Sequence, residues 1–210
     1  MLMAAVGVAL IAGSTPTAGQ SGLVRVRLET SAGPITLALD GRRASITTAN
    51  FMAYVDDGRF DGTVFYRAAR SKARPGNGFI QGGVRTDLRR ALPPIDLEPT
   101  SKTGIRHVDA TVSMAHGIFD ASATGNFVLT VGPSLQMDAR PGFSGYAAFG
   151  RVTGGMDAVR RILAQPSGGG SGPMRGQMIL RPVRITRAVR LDGTPKPTGR
   201  PKVWLILRGG

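Results

Sequence analysis

From Leu23 the chain keeps a beat of two. Val24, Val26 and Leu28 alternate with Arg25, Arg27 and Glu29; after the turn Ser31-Ala32-Gly33-Pro34, Ile35, Leu37 and Leu39 alternate with Thr36, Ala38 and Asp40. That period belongs to strands with one wet face, so the stretch predicts a hairpin that Asp40-Gly41 ends. Ser45 to Asp57 changes period. Phe51, Met52 and Val55 form the apolar stripe of a helix, Ser45, Thr47 or Thr48 offers a cap, and Asp57-Gly58 stops it. Further strands are predicted at Val64–Tyr66, Ala110–Met114, Asn126–Val131 and Ala147–Val152. A second helix opens at Gly154-Gly155-Met156-Asp157, carries Met156, Val159, Ile162 and Leu163 on one side, and ends at Pro166. Met178–Leu180 and Val183–Ile185 supply closing strand material, with Ser167 to Gly172 read as a flexible glycine linker. Many strands, two helices and glycine-rich turns fit a closed barrel whose ends the helices plug, because closure removes sheet edges.

Composition narrows this picture. The 210 residues, 41% of them hydrophobic, suffice for one sizeable core. With no cysteine, a disulfide framework, a thiolate nucleophile and Cys-based metal sites are excluded, and the two histidines, His107 and His116, leave too few soft ligands for a structural zinc. Net charge is +14, and 23 of the 27 cations are arginine. Arginine suits phosphate forks. Here the arginines are scattered and few aromatics are interleaved with them, so no specific nucleic-acid site is expected; a secondary attraction to anionic lipid or polymer surfaces is.

Both ends differ from the middle. Met1 to Gly13 is apolar and uncharged, too short to span a bilayer comfortably, and small residues follow from Ser14 to Gly19. This is the apolar core and cleavage zone of a secretory signal without its basic start. It predicts export to the periplasm or beyond; a disordered or anchoring segment, with the protein in the cytoplasm, is the alternative. No lipoprotein anchor is available, and no other segment could cross a membrane. The chain thus divides into a signal-like or disordered segment 1–22, a domain 23–190, and a basic proline-containing tail 191–210. The run Val203 to Leu207 within the tail reads either as an added strand or as an extension that docks elsewhere.

The chain carries no Ser/His/Asp or His/Cys grouping with a recognisable local motif, no P-loop and no dinucleotide fingerprint after a strand. What it offers is Arg67 beside an apolar strand, followed by a polar, Pro/Gly-broken loop and the returning segment Phe79-Ile80-Gln81-Gly82-Gly83.

Seven stretches taken in order carry a resemblance: "VRLETSAGPITLALD", "TTANFMAYVDDGRFDGTVFYR", "GFIQGG", "GIRHVDATVSMAH", "SATGNFVLTVG", "YAAFGRVTGGMDAVRRI" and "PVRITRAVR". Together they make residues 23–190 similar to the cyclophilin-type peptidyl-prolyl cis-trans isomerases, bacterial ones in particular. The resemblance implies a mainly β fold, a closed eight-stranded antiparallel barrel capped by two α-helices. It implies a cofactor-free, metal-free isomerase that assists protein folding by rotating Xaa-Pro bonds in proline-containing polypeptide clients. Arg67 matches the family's catalytic arginine and Gln81 the glutamine beside it. Phe65, Phe79, Ala115, His116, Asn126, Val128, Leu135 and Tyr146 match substrate-binding positions, and Phe149 a core aromatic near the site. Some positions depart from the pattern. Val128 stands for a large aromatic, which widens the proline pocket and removes on the order of 1–3 kcal/mol of contact. Asn126 is one methylene shorter than the family glutamine, Tyr146 replaces a histidine, and the loop from Ala68 to Gly78 is long. Ser134 falls where relatives place the tryptophan that touches cyclosporin, so weak binding of that drug is expected. A monomer is expected, since a closed barrel needs no partner. The competing reading is a catalytically weak peptide-binding or scaffold module of the same fold; a third is a basic surface-binding protein acting through its tail.

Overall fold

The computed structural model describes residues 22–206; the signal-like segment therefore lies outside the described residues, apart from Gly22, as does Leu207. Among the described residues there are nine strands: β1 (Leu23–Thr30), β2 (Ile35–Asp40), β3 (Val64–Arg70), β4 (Gly78–Gly83), β5 (Thr111–Met114), β6 (Asn126–Val131), β7 (Ala147–Gly154), β8 (Ser167–Gly168) and β9 (Met178–Arg190). Hydrogen-bonded neighbours run β1-β2-β7-β5-β6-β4-β3-β9, and β9 pairs back onto β1, which closes an antiparallel eight-stranded barrel; β8 lies outside it, on β9.

Two helices of some length cover the barrel. Helix α1 (Ser45–Asp56) follows directly from the Asp40 end of β2. The short α2 (Thr100–Thr103) comes next, and then α3 (Met156–Leu163). Helix α3 starts at the other end of β2, where Gly155 packs so closely on the Pro34 carbonyl that a Cβ would sit 2.1 Å from it. The two longer helices therefore cap opposite ends. Phe51 of α1 enters the core, where its ring meets those of Phe60, Phe127 and Phe149 at 4.9, 5.2 and 5.4 Å between centroids. Phe65 closes on Phe127 edge-on at 5.7 Å. Tilted and edge-to-face aromatic pairs of this kind fill a barrel interior with well-directed contacts.

Four local expectations are corrected. No side chain of Ser45, Thr47 or Thr48 caps α1; the buried carboxylate of Glu98 does so, accepting from the Ile46 and Thr47 amides at 3.2 and 2.7 Å and from the Thr47 hydroxyl at 2.7 Å. An acid there also meets the positive end of the helix dipole. Strand β3 does not stop at Tyr66 but continues to Arg70, so the connection to β4 is only Ser71 to Asn77. Residues 178–190 form one strand, although Pro182 lies within it. The supposed glycine linker after Pro166 is an ordered lobe: Ser167 and Gly168 pair with Ile179 and Met178, and a 3-10 turn spans Gly172–Met174.

The tail docks as an extension and not as a strand. Its described part closes with the helical turn α4 (Val203–Ile206), which buries Trp204 against the guanidinium groups of Arg59 and Arg90, 4.8 and 5.2 Å from the ring centroid.

Candidate functional site

Alternation along β3 would send Phe65 and Arg67 to the same face. The structure separates them with a β-bulge. Phe65 pairs with Gly82 and Arg67 with Gln81, so Tyr66 is an extra residue on β3. Phe65 points into the core and is fully buried, while Arg67 is turned outward and half-buried. Bulges re-aim side chains in this way. The close pairing needs the two glycines after Gln81. A Cβ on Gly82 would come within 2.7 Å of Phe65 Cδ1, and Gly83 holds φ at +118° with the Gly125 carbonyl 2.0 Å from where its Cβ would be. Phe65 thus shapes the site from beneath, through Gly82.

Arg67 is held from several sides. Its Nη1 donates to Gln81 Oε1 at 3.0 Å, its Nε to Gln177 Oε1 at 2.8 Å and its Nη2 to the Pro173 carbonyl at 3.3 Å. These bonds use three of the five guanidinium N–H groups. The ring of Phe79 lies 5.0 Å from the guanidinium carbon. Burial pulls the Arg67 pKa down from the ordinary arginine range, opposed by the nearby Tyr66 and Tyr146 hydroxyls; an arginine stays cationic through such a shift. Burial pushes the Tyr66 hydroxyl up to about 12, despite Arg67 and Arg85 beside it. It stays neutral and donates a hydrogen bond to Asn126 Oδ1 at 3.2 Å.

The sheet carries this face onward. Gln81 pairs with Val128 on β6, and Val128 with Ser113 on β5. Val128 is buried, 3% exposed. The Ala115 amide donates to the Asn126 carbonyl at 2.9 Å, which extends the β5 edge past Met114. His116 follows, with one ring nitrogen 2.9 Å from the Gly117 carbonyl and the other 2.9 Å from that of Gly145. Its ring lies on Tyr146 at 4.7 Å, and Tyr146 meets Phe143 at 6.2 Å. Leu135 is 44% exposed and shares a cleft with Phe79. Among the described residues no group of three or more His, Cys, Asp or Glu is placed to hold a metal ion, and no helix is long and apolar enough to cross a membrane.

Residues 25–189 match the family described as cyclophilin type peptidyl-prolyl cis-trans isomerase/CLD. The chain belongs to the cyclophilins. Among its relatives, peptidyl-prolyl cis-trans isomerase A of Dickeya dadantii is 34% identical over 164 residues, 77% of this chain and 83% of that protein. Peptidyl-prolyl cis-trans isomerase cyp18 of Streptomyces antibioticus is 37% identical over 150 residues, 70% of this chain and 87% of that one. A cyclophilin type isomerase of Cryptosporidium parvum, solved in the presence of the dipeptide Ala-Pro, superimposes with a TM-score of 0.65 at 19% identity over 80% of this chain and 99% of that chain.

In this cyclophilin most, not all, of the motif-matched residues face the same site. Arg67, Gln81, Phe79, Val128 and Tyr146 gather around one guanidinium or along one sheet row. Asn126 is turned to the backbone of Arg85, to which it both donates and accepts. Gln177 carries no such motif, yet it holds Arg67 from 110 residues away. The sequence signal for it is only its place between a Gly-Pro turn and the closing strand.

A second grouping has no local motif either. Asp138 Oδ1 lies 2.7 Å from His107 Nδ1, and His107 Nε2 lies 2.8 Å from Ser113 Oγ, which also reaches the Ala147 carbonyl at 3.1 Å. The order is that of a hydrolytic triad, but His107 and Ser113 are both 0% exposed, so no substrate reaches them. The chain braces β5 directly behind Val128. Burial holds the His107 pKa below the ordinary histidine range, against the pull of Asp138. The unfolded chain then binds a proton that the folded one refuses, so stability is complete above about pH 6.5 and falls as pH drops below it. Thermal midpoints measured from pH 8 to pH 5, above the carboxylate range, should show that fall, and His107→Gln should reduce it.

Proposed function

We propose that this cyclophilin rotates Xaa-Pro peptide bonds in extended or unfolded polypeptides, with Arg67 as the group that stabilises the twisted bond. The barrier is roughly 18–20 kcal/mol because rotation breaks amide resonance. In the twisted state the proline nitrogen becomes pyramidal and basic, so a donor aimed at it, or at the preceding carbonyl, binds that state more tightly than the planar one. No general base is required. The observation that carries this reading is the pinned Arg67. Its cation is oriented by Gln81, Gln177 and the Pro173 carbonyl, with N–H groups to spare. Around it, Phe79, Leu135, Ala115, His116 and Tyr146 would line the path of the client, with Val128 at the floor of the proline pocket. Phe65 would support that floor through Gly82, and Asn126 would act through the turn at Arg85. Ser134 at the tryptophan position supports weak cyclosporin binding, the closed barrel supports a monomer, and the apolar segment from Met1 supports export. The test is the isomerisation rate of a short Xaa-Pro peptide, wild type against Arg67→Ala; equal rates near the uncatalysed one would sink the isomerase reading and leave the peptide-binding module that Val128 favours.

Gln177 is a positioning residue in this scheme. Gln177→Ala should lower kcat about ten-fold with little change in KM, as expected for one hydrogen bond to a charged group. Gln177→Glu, which keeps the acceptor, should recover most of the loss. Equal losses in both variants, or a loss confined to thermal stability, would argue against it.

A further inference from the structure

Among the described residues Arg85 is one of two non-glycine residues with positive φ, at +54°. A side chain in this left-handed conformation is strained, and glycine would adopt it freely. The strain is held by Asn126, whose carboxamide grips both sides of the residue: the Arg85 amide donates to Oδ1 at 2.7 Å and Nδ2 donates to the Arg85 carbonyl at 3.0 Å. That same Oδ1 accepts a hydrogen bond from the Tyr66 hydroxyl. The consequence is a fixed side-chain direction. The Arg85 guanidinium lies 5.6 Å from the centroid of the Tyr66 ring, on the residue next to Arg67. Arg85 is exposed and makes no ion pair or side-chain hydrogen bond among the described residues; the nearby Asp87 is taken by Arg89 and Arg90.

We infer that Arg85 is a specificity-determining residue, selecting clients that carry a carboxylate side chain close to the Xaa-Pro bond. A guanidinium parked on an aromatic face keeps its donor edge free, in the planar fork that carboxylates match. Tyr66 is flanked by this open cation and by Arg67, so a client seated at Arg67 passes within reach of Arg85. The inference rests on the isomerase reading.

The test uses peptides with Glu, Gln or Lys placed in turn at each of the three positions before and after the Xaa-Pro pair. It compares wild type, Arg85→Gly, Arg85→Glu and, as a control with the same change in net charge on the β1–β9 side, Arg187→Glu. Arg85→Gly relieves the backbone strain and keeps the Asn126 clamp, so it should fold. The readout is the Glu-to-Lys ratio of kcat/KM within each protein. At low salt, wild type should favour Glu about two- to five-fold at one or more positions, the range of an exposed charge pair. The ratio should fall to near one in Arg85→Gly, invert in Arg85→Glu, persist in Arg187→Glu and shrink at high salt. Wild type active on the Gln peptides with no Glu preference anywhere would overturn the inference and leave the isomerase reading intact. So would a preference that Arg85→Glu and Arg187→Glu change alike, which would mark it as an effect of net charge. Wild type inactive on every peptide would instead sink the isomerase reading, and the specificity with it.

Discussion

Arg67→Lys is expected to lower kcat/KM for a short Xaa-Pro peptide by about 10²-fold, close to the effect of Arg67→Ala. The substitution keeps the charge and loses the fork. Three bonds leave the guanidinium in different directions, to Gln177 from Nε, to Gln81 from Nη1 and to Pro173 from Nη2. A lysine ammonium is one point at the end of a flexible stem. It can satisfy one of these acceptors or face the substrate, and it cannot do both along the same direction. It also leaves one or more carboxamide oxygens without a donor beside a half-buried charge, and such groups then compete for the ammonium. Stopped-flow isomerisation assays on both variants check the claim. A lysine variant within about five-fold of wild type would mean that charge alone suffices and that the Gln81–Gln177 cradle is incidental. Gln81→Ala separates the contributions further. It removes the Nη1 partner while Gln177 and Pro173 still hold the group, so its loss should fall between those of Gln177→Ala and Arg67→Lys.

The legibility of this site in the sequence follows the range of each interaction. Phe65, Arg67 and Gln81 could be picked out because they sit in short local stretches, Phe-Tyr-Arg on β3 and Gln-Gly-Gly on β4, that carry the family resemblance. The alternation of Val24, Val26 and Leu28 likewise showed β1 directly, since one barrel face is wet and the other dry. The bulge at Tyr66 has no composition of its own. It is set when Gly82 meets Phe65 across the sheet, and it alone decides that Arg67 faces outward. Long-range partners were hidden for the same reason. Glu98 caps α1 from 51 residues away, and Gln177 reaches Arg67 across 110. Glycine content misled in the stretch after Pro166, where freedom of the backbone was taken for mobility. Positive φ at Gly169, Gly170 and Gly172 lets that stretch fold into a tight lobe, which presents Gln177 and the Pro173 carbonyl to Arg67. The buried chain Asp138–His107–Ser113 had no local signal either, since Asp138 is 31 positions from His107 and on a separate loop.

Trp204→Ala should destabilise the folded protein by about 3 kcal/mol, a large loss for a residue six positions from the C-terminus. Trp204 is 3% exposed, and its ring packs against the guanidinium groups of Arg59 and Arg90. Arg59 is itself 2% exposed and depends on Asp57, to which its Nε donates at 2.7 Å. Asp57 in turn accepts from the Thr198 amide at 2.7 Å and hydroxyl at 2.6 Å, while the neighbouring Asp56 takes the Lys196 amide at 2.9 Å. The tail is therefore the lid on a buried ion pair. Removing it exposes one partner of each contact and leaves charges arranged for a dry site in a wet one. Removing residues 192–210 should cost at least as much as Trp204→Ala, as measured by urea unfolding. An unchanged midpoint in both variants would show the strap to be superficial. Acid supplies an independent handle. Burial raises the Asp57 pKa, but hydrogen bonds from Thr198 and Arg59 outweigh it and hold the pKa below the ordinary carboxylate value. A depressed pKa contributes stability that is complete above the unfolded value, about 3.9, and is lost as pH falls below it. The strap should thus stay docked at pH 5 and loosen below about pH 4. Trp204 is the single tryptophan, so its fluorescence reports that release directly. A red shift that precedes the loss of far-ultraviolet dichroism would show the tail leaving before the barrel opens. A shift that coincides with it would show that Asp57, Arg59 and Trp204 are part of one cooperative unit with the core.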